Sequence, residues 1–327
     1  RKCRRLSFLI TIFTKKQNKM KRYHTINEQN KEVFDLDLFN HHRENKRVTT
    51  VNSVSGGKTS SYIAKEYPAD YNIFSLVRTN DFSCMFPDAK IRQQVSDRIG
   101  KEFIGTLEED TIIYTMLDLE QYIGSEITWL SADTFDDIIM NKNGKQYLPN
   151  KVQRICTVKM KVEPIAQWCY ENTDLPVEMR IGFRSNEQRR AKNMIERMED
   201  GIESFKFKIG EKNGRNQWKN LPYRVCDFPL ITDGIFKDNI EEYWKDKPVR
   251  FAYMNNCVGC FHRSELLLKH MSNKQPDKYE WFAKKEREAN ASTWKTGITY
   301  DKIKGYKSQF SLFDDDFNDC DSGYCGL

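Results

Sequence analysis

No stretch of about 18 consecutive apolar residues occurs in this chain, so the sequence holds no candidate membrane-spanning helix. Cysteine is sparse: nine in 327 residues is far from the density of a small secreted disulfide scaffold. Reduced thiols, some of them ligands or nucleophiles, fit better, and with them a cytoplasmic location. No internal repeat is present, which leaves out repeat architectures. Residues 1–19, RKCRRLSFLITIFTKKQNK, contain no acid but seven Lys or Arg; without them the net charge of +6 becomes −1. The overall basic balance therefore says little about nucleic acid. Met20 is the first methionine, and MKRYHTIN reads as a start, which makes residues 1–19 an upstream translated segment. The rival reading, a signal peptide around LSFLITIF, has a short apolar run and no small-residue cleavage site after it.

Hydrophobic residues at 39% and charged residues at 31% are the mixture of a globular protein with a sizeable core. The β-branched run 48–54 reads as a buried strand, residues 55–61 as a loop, and the chain from Tyr62 to Pro68 as a helix. YNIFSLVRTN and PVEMRIGF are strands, and TIIYTML and EITWL are further strand candidates. PDAKIRQQVSDRIGKEF is a helix with Ile91, Val95 and Ile99 on one face. VEPIAQWCYEN is a helix opened by Pro164, and SNEQRRAKNMIERMED one whose Ser185 and Gln188 have capping-box spacing. KIGEKNGRNQWKN is a hairpin or loop. Such alternation predicts an α/β fold with a mostly parallel, doubly wound sheet. The expected organisation is an N-terminal extension (20–47), a nucleotide-binding α/β domain (48–235) and a helical, cysteine-containing C-terminal region with an acidic tail (236–327).

VTTVNSVSGGKTSSYIAKEY raises a phosphate question. A Walker A loop ending at Gly57-Lys58-Thr59 needs glycine at position 52, where Asn52 stands, so the motor reading fails at a defining position. Ser55, Gly56, Gly57, Lys58, Thr59 and Ser60 instead form Ser-Gly-Gly-x-x-Ser between strand and helix. There glycines let the backbone approach an anion, and the helix start adds free N–H groups and a positive dipole end. This resembles the pyrophosphate loop of the adenine-nucleotide alpha-hydrolase superfamily, usually Ser-Gly-Gly-Lys-Asp-Ser, with Thr59 where the Asp commonly is. Further segments come in order. RICTVKMKVEPI (154–165) resembles the Cys-x4-Lys-x-x-Pro of phosphoadenosine phosphosulfate reductases, with Cys156 followed by Thr157 where iron–sulfur members have a second cysteine. RIGFRSNEQRR resembles their Gly-x-Arg-x-x-Glu, and NNCVGCF their Cys-x-x-Cys. Over residues 48–265 the chain is identified as a divergent member of the phosphoadenosine phosphosulfate reductase-like family.

That resemblance implies an adenine nucleotide, a phosphosulfate or ATP, over Ser55–Ser60 with its anionic groups on Lys58 and Arg184. Arg184 immediately precedes a helix, so guanidinium and helix start can meet one anion. Lys161 reads either as a second contact to the same anion or as a solvated lysine, and Glu187 as an orienter of Arg184 or a helix cap. Strand ends in such a sheet face one crevice, so loops 55–61, 78–81 and 184–187 are expected to meet there.

Cys257-Val-Gly-Cys260 is a two-ligand knuckle. Two more ligands would come from Cys156, Cys320, Cys325 or His262. The family implies that Cys156, Cys257 and Cys260 hold three corners of a four-iron four-sulfur cluster, with a tail cysteine, Cys320, as the fourth. A zinc site from Cys257, Cys260, Cys320 and Cys325, and a pair of free buried thiols, are the alternatives. Cys3, Cys84, Cys169 and Cys226 have no partner spacing and read as packing residues. The terminal Cys325-Gly326-Leu327 resembles part of the family's nucleophile signature, without its preceding Glu or following His. The aspartates at 314, 315, 316, 319 and 321 would raise a neighbouring thiol's pKa and blunt it.

Three functions are compatible with these residues. One is sulfonucleotide reduction by thiol chemistry with a thioredoxin-like reductant. Another is ATP cleavage to AMP and pyrophosphate that activates an acceptor for sulfur or amine transfer, nucleic acid among the possible acceptors. The third is nucleotide binding without catalysis.

Overall fold

The computed structural model describes residues 23–307, apart from 27–28, 30–31, 46–47, 141–145 and 290–291. A two-stranded antiparallel sheet, β1 (His24–Ile26) with β2 (Glu32–Phe34), precedes the main one. The main sheet holds β3 (Thr50–Val54), β4 (Tyr71–Leu76), β5 (Ile127–Ser131), β6 (Val177–Arg180), β7 (Ile202–Lys212) and β8 (Arg215–Asp227). Its order is β5-β4-β3-β6-β8-β7, parallel except for the β7–β8 pair.

Alternation along the strands builds two cores. Val51 and Ile73 face one side, against Ile165, Ala166 and Cys169 of the helix Glu163–Asn172. Val54, Phe74 and Leu76 face the other, against Ile63 of the helix Lys58–Glu66, Val95 of Ala89–Ile99, Met116 of Thr111–Ile123 and Ile240 of Lys237–Trp244. A sheet with both faces covered needs continuous apolar strands, and β4 is buried from Asn72 to Leu76. A third core, around Phe135, Trp281, Phe282 and Trp294, joins the C-terminal helices Glu265–Lys274, Pro276–Glu288 and Tyr300–Lys304 to the loops after β4 and β5.

Chain order fixes where a ligand can enter. From β3 the chain moves outward to β4 and β5, then returns to place β6 on the other side of β3. The strand order thus reverses between β3 and β6, the topological switch point at whose carboxyl edge open α/β sheets take ligands.

Several expectations need correction. TIIYTML is not a strand but the start of the helix Thr111–Ile123, whose buried Ile112, Ile113, Met116 and Leu119 follow helical spacing. The helix expected from Tyr62 begins at Lys58, so the open loop shrinks to Ser55–Gly57. The Ser185/Gln188 capping box does not form; Glu187 takes that role, its carboxylate accepting from Arg184 N–H at 3.0 Å. The 208–220 segment, expected as a hairpin or loop, is a hairpin: the end of β7–β8, turned through Asn213 and Gly214 at positive φ.

Candidate functional site

β3 is central, and its Asn52 is buried in mid-strand, where Nδ2 donates to Tyr67 O and Asn72 Oδ1, both at 3.0 Å. Position 52 thus lies inside the sheet, outside any phosphate loop. The chain turns at Gly56, with φ +78, a backbone that L side chains rarely adopt; a Cβ there would also stand 2.8 Å from Ile112 Cγ2. The loop is braced from within. Ser60 Oγ accepts from Ser55 N at 3.1 Å, lies 3.1 Å from Ser55 Oγ, and donates to Gly57 O at 3.1 Å. No side chain caps the helix at Gly57. Its backbone ladder starts with Ser61 N to Gly57 O at 3.0 Å, which leaves the N–H groups of Lys58, Thr59 and Ser60 as the orphan donors of a helix start. Ser55 N is taken by Ser60, so the loop offers fewer amides than its sequence suggests.

Lys58 does not stand open. Its ammonium pairs with Glu241, and Trp244 Nε1 donates to Lys58 O at 2.9 Å, so the helix Lys237–Trp244 clamps the loop from outside. Thr59 is buried, with its methyl toward Gly182: a Cβ on Gly182 would lie 3.3 Å from Thr59 Cγ2. Thr59 therefore packs between the two loops and presents no carboxylate there.

Arg184 lies on the loop that follows β6, the strand paired with β3. It is 5% exposed. Its Nε donates to Glu187 at 3.1 Å, and Glu187 also accepts from Arg190, whose guanidinium lies 4.4 Å over the Phe183 ring. Glu187 thus orients Arg184 and caps the turn at once. Arg184 Nη1 is buried with no hydrogen-bond partner. An unmet guanidinium N–H in the interior carries a desolvation cost of about 1–3 kcal/mol, and a bound anion would offset it.

Lys161 lies within a π turn, Val158–Val162, and pairs with the fully buried Glu108 at 2.9 Å. It lines two cavities. One holds Ser53, Ser55, Ser75 and Met179 beneath the loop; the other holds the thiols. The 78–81 loop is committed elsewhere. Arg78 binds Ser131 Oγ, Glu102 O and Ala132 O, and Thr79 donates to Asp136 at 2.6 Å.

Cys156, Cys257 and Cys260 line the second cavity, together with His262. The Cys257–Cys260 turn is pinned: Cys260 N donates to Cys257 O at 3.0 Å, Tyr300 OH to Gly259 O at 2.9 Å, and the buried Arg263 to Asn256 O at 2.9 Å. A Cβ on Gly259 would meet the Phe282 ring at 2.3 Å. Burial, with Arg154 next, pushes His262 down to about 4. Among the described residues, no three His, Cys, Asp or Glu are arranged to hold a metal ion. The donors suit zinc or an iron–sulfur cluster in kind, but in this arrangement they do not make a site by themselves. Cys320 and Cys325 lie outside the described residues, as does Cys3. Cys84, Cys169 and Cys226 are packing thiols, pushed by burial up to about 11, 12 and 11, and so protonated at neutral pH.

The sequence reading missed the carboxylates Glu241 and Glu108. They lie 183 and 53 residues from the lysines they neutralise, and no local pattern signals them. Among the described residues no helix is long and apolar enough to cross a membrane. No family model, curated protein or solved structure matches this chain.

Proposed function

We propose that this protein is an adenine-nucleotide enzyme of the phosphoadenosine phosphosulfate reductase-like kind, with the nucleotide's anionic end held between the Ser55–Ser60 loop and Arg184. One observation carries the reading: a buried guanidinium with an unmet N–H group on the loop after β6, across the sheet's switch point from a glycine turn that opens a helix. Orphan helix amides and a preset arginine are complementary to a compact multivalent anion. Lys161 and Lys58 add charge that their carboxylates share.

In the reductive reaction a cysteine thiolate attacks the sulfonate sulfur. The bond from sulfur to the phosphate oxygen breaks, and adenosine bisphosphate leaves. A thioredoxin-like dithiol then attacks the S-sulfocysteine, releases sulfite and is itself oxidised to a disulfide. Cys325 is the candidate nucleophile by resemblance. By resemblance a four-iron four-sulfur cluster would be held by Cys156, Cys257, Cys260 and the tail Cys320, and the zinc alternative by Cys257, Cys260, Cys320 and Cys325, either lending structural support beside Lys161; metal and sulfide analysis distinguishes the two.

A second reading, ATP cleavage to AMP and pyrophosphate, is favoured by the tail: Tyr324 stands where the family's Glu precedes the nucleophile, among five aspartates. Against it, Thr59 presents a methyl where a metal-binding carboxylate would serve. Thermal-shift measurement with phosphoadenosine phosphosulfate, adenosine phosphosulfate, ATP and GTP tests the binding. Stabilisation by the adenine compounds and loss of it in Arg184→Ala is the expected result; no shift with any of them rejects the site. Sulfite release that disappears in Cys325→Ser selects the first reaction, and pyrophosphate release selects the second.

A further inference from the structure

The root of the β7–β8 hairpin, Tyr223 and Arg224, lines the cavity beneath the glycine loop, but its outer part does not. Only Arg224–Asp227 of β8 pairs with β6; from Arg215 to Tyr223 the strand pairs with β7 alone among the described residues. The hairpin is therefore an arm that runs on past the amino end of β6, away from the carboxyl edge, for roughly 25–30 Å at the usual rise per residue. Its root is fixed by Phe205, Phe207 and Tyr223, with Phe207 stacked on Tyr170 at 5.1 Å. Its outer part is different. Residues 204–220 carry Lys206, Lys208, Lys212, Arg215 and Lys219 against Glu211 alone, a local excess of four positive charges on a chain whose residues 20–327 sum to −1. Lys206, Lys212, Arg215 and Lys219 have no ion-pair partner among the described residues, and Lys208 reaches Glu211 at 3.9 Å with both side chains exposed.

Among these cations stands Trp218, 49% exposed and directly across from Lys208. Burying an indole contributes on the order of 2–3 kcal/mol, so a half-exposed one among cations is available as stacking surface for a ligand that the cations attract. Asn216, Gln217 and Asn220 place amides beside it. From Lys206, Lys208 and Trp218 an open groove crosses Gln167 and Lys159 to Ile155, the neighbour of Cys156. Asp133, Asp137, Glu163 and Glu171 also line that groove, so the cationic footprint is the arm itself.

We propose that this arm binds an unpaired strand of nucleic acid, the cations on its phosphates and Trp218 stacked on a base. Cations that face no carboxylate suit a polyanion, because each phosphate contact releases condensed counterions. An exposed aromatic flanked by lysines suits a strand whose bases are open for stacking. A membrane-seeking arm would carry its apolar residues at the tip, where this one has Lys212, Asn213, Gly214 and Arg215. An acidic protein surface would satisfy the lysines but leave the indole without a role. The proposal stands on the arm alone and does not depend on the nucleotide reading.

Fluorescence anisotropy of the full chain with a labelled oligothymidine and a labelled oligouridine is the test. With about four phosphate contacts, affinity should fall about 50-fold between about 50 and 200 mM salt. Replacing Lys206, Lys208, Lys212 and Arg215 together by Glu should abolish binding at the lower salt, with the far-ultraviolet circular dichroism unchanged. Trp218→Ala should weaken binding about tenfold, and Trp218→Phe should restore most of it. If the four-charge variant does not fold, Trp218→Ala and Lys208→Ala, each at the end of one exposed side chain, carry the same test. Binding that survives these changes places the interaction elsewhere, residues 1–19 included, and overturns the proposal. So does equal affinity for polyglutamate or phosphatidylserine vesicles with no effect of Trp218→Ala, which would make the arm a general anion surface.

Discussion

Lys58, Lys161 and Arg184, around the carboxyl edge of the sheet, each face a carboxylate: Glu241, Glu108 and Glu187. Lys206, Lys212, Arg215 and Lys219, on the hairpin arm, face none among the described residues. At the edge the side chains are buried or half-buried, where an unpaired charge would be costly, so the fold supplies a partner for each cation and leaves the backbone amides and one guanidinium N–H to recognise a ligand. On the arm, water solvates the charges at little cost, and they stay free. One region is preset for a single compact anion in a fixed place; the other is an uncommitted field that tolerates many positions of a long one. The same residue type thus reports different chemistry according to what lies behind it.

If that contrast holds, the edge should be sensitive to backbone changes and the arm to charge changes. The largest expected effect follows from Gly56→Val. It forces a β-branched side chain into a positive-φ turn and against Ile112. The cost is about 2–4 kcal/mol of stability. Denaturant unfolding should show it, along with loss of any nucleotide-induced thermal shift. A variant as stable as the parent would mean that the turn is not set as described.

Arg184→Ala comes next. Losing charge-assisted hydrogen bonds from a buried site should weaken adenine-nucleotide binding about 10- to 100-fold by calorimetry. Arg184→Lys should recover little, since a point charge cannot serve Glu187 and an anion together in the guanidinium's geometry. Oligonucleotide binding by the arm should be untouched in both variants; a parallel loss there would merge the two regions into one surface.

How much of this could be read in advance differs between the same two regions. The glycine loop was legible because its chemistry is local: strand, turn and helix start lie within twelve residues. The hairpin was legible from Asn213-Gly214 between β-rich runs. The helix at Thr111 was hidden by its β-branched opening, TII, although Gly124, which caps its end in the left-handed region, was a usable stop signal. What the sequence does not carry is neutralisation at a distance. Glu241 reaches Lys58 and Glu108 reaches Lys161 only after the sheet has closed, and both lysines therefore looked freer than they are. The convergence of Cys156 on Cys257 and Cys260 is likewise tertiary; only the Cys-x-x-Cys spacing was local.

The smallest expected effect bears most directly on the contrast. Glu241→Gln removes the carboxylate from Lys58 and leaves a side chain of the same shape. The pair is partly exposed, with 28% and 32% of the two side chains accessible, so its loss should change stability by less than about 1 kcal/mol. The freed ammonium then has only solvent or ligand to face. Nucleotide affinity should rise, by about two- to fivefold, because the anion no longer competes with Glu241 for the lysine. The gain should shrink with added salt, since a half-exposed charge is screened within about 10 Å at ordinary ionic strength. Titration calorimetry at two salt concentrations reads both effects. An affinity that falls in Glu241→Gln would show that the carboxylate positions Lys58 for the ligand and does not compete with it, and the edge would then be a site completed by its ion pairs.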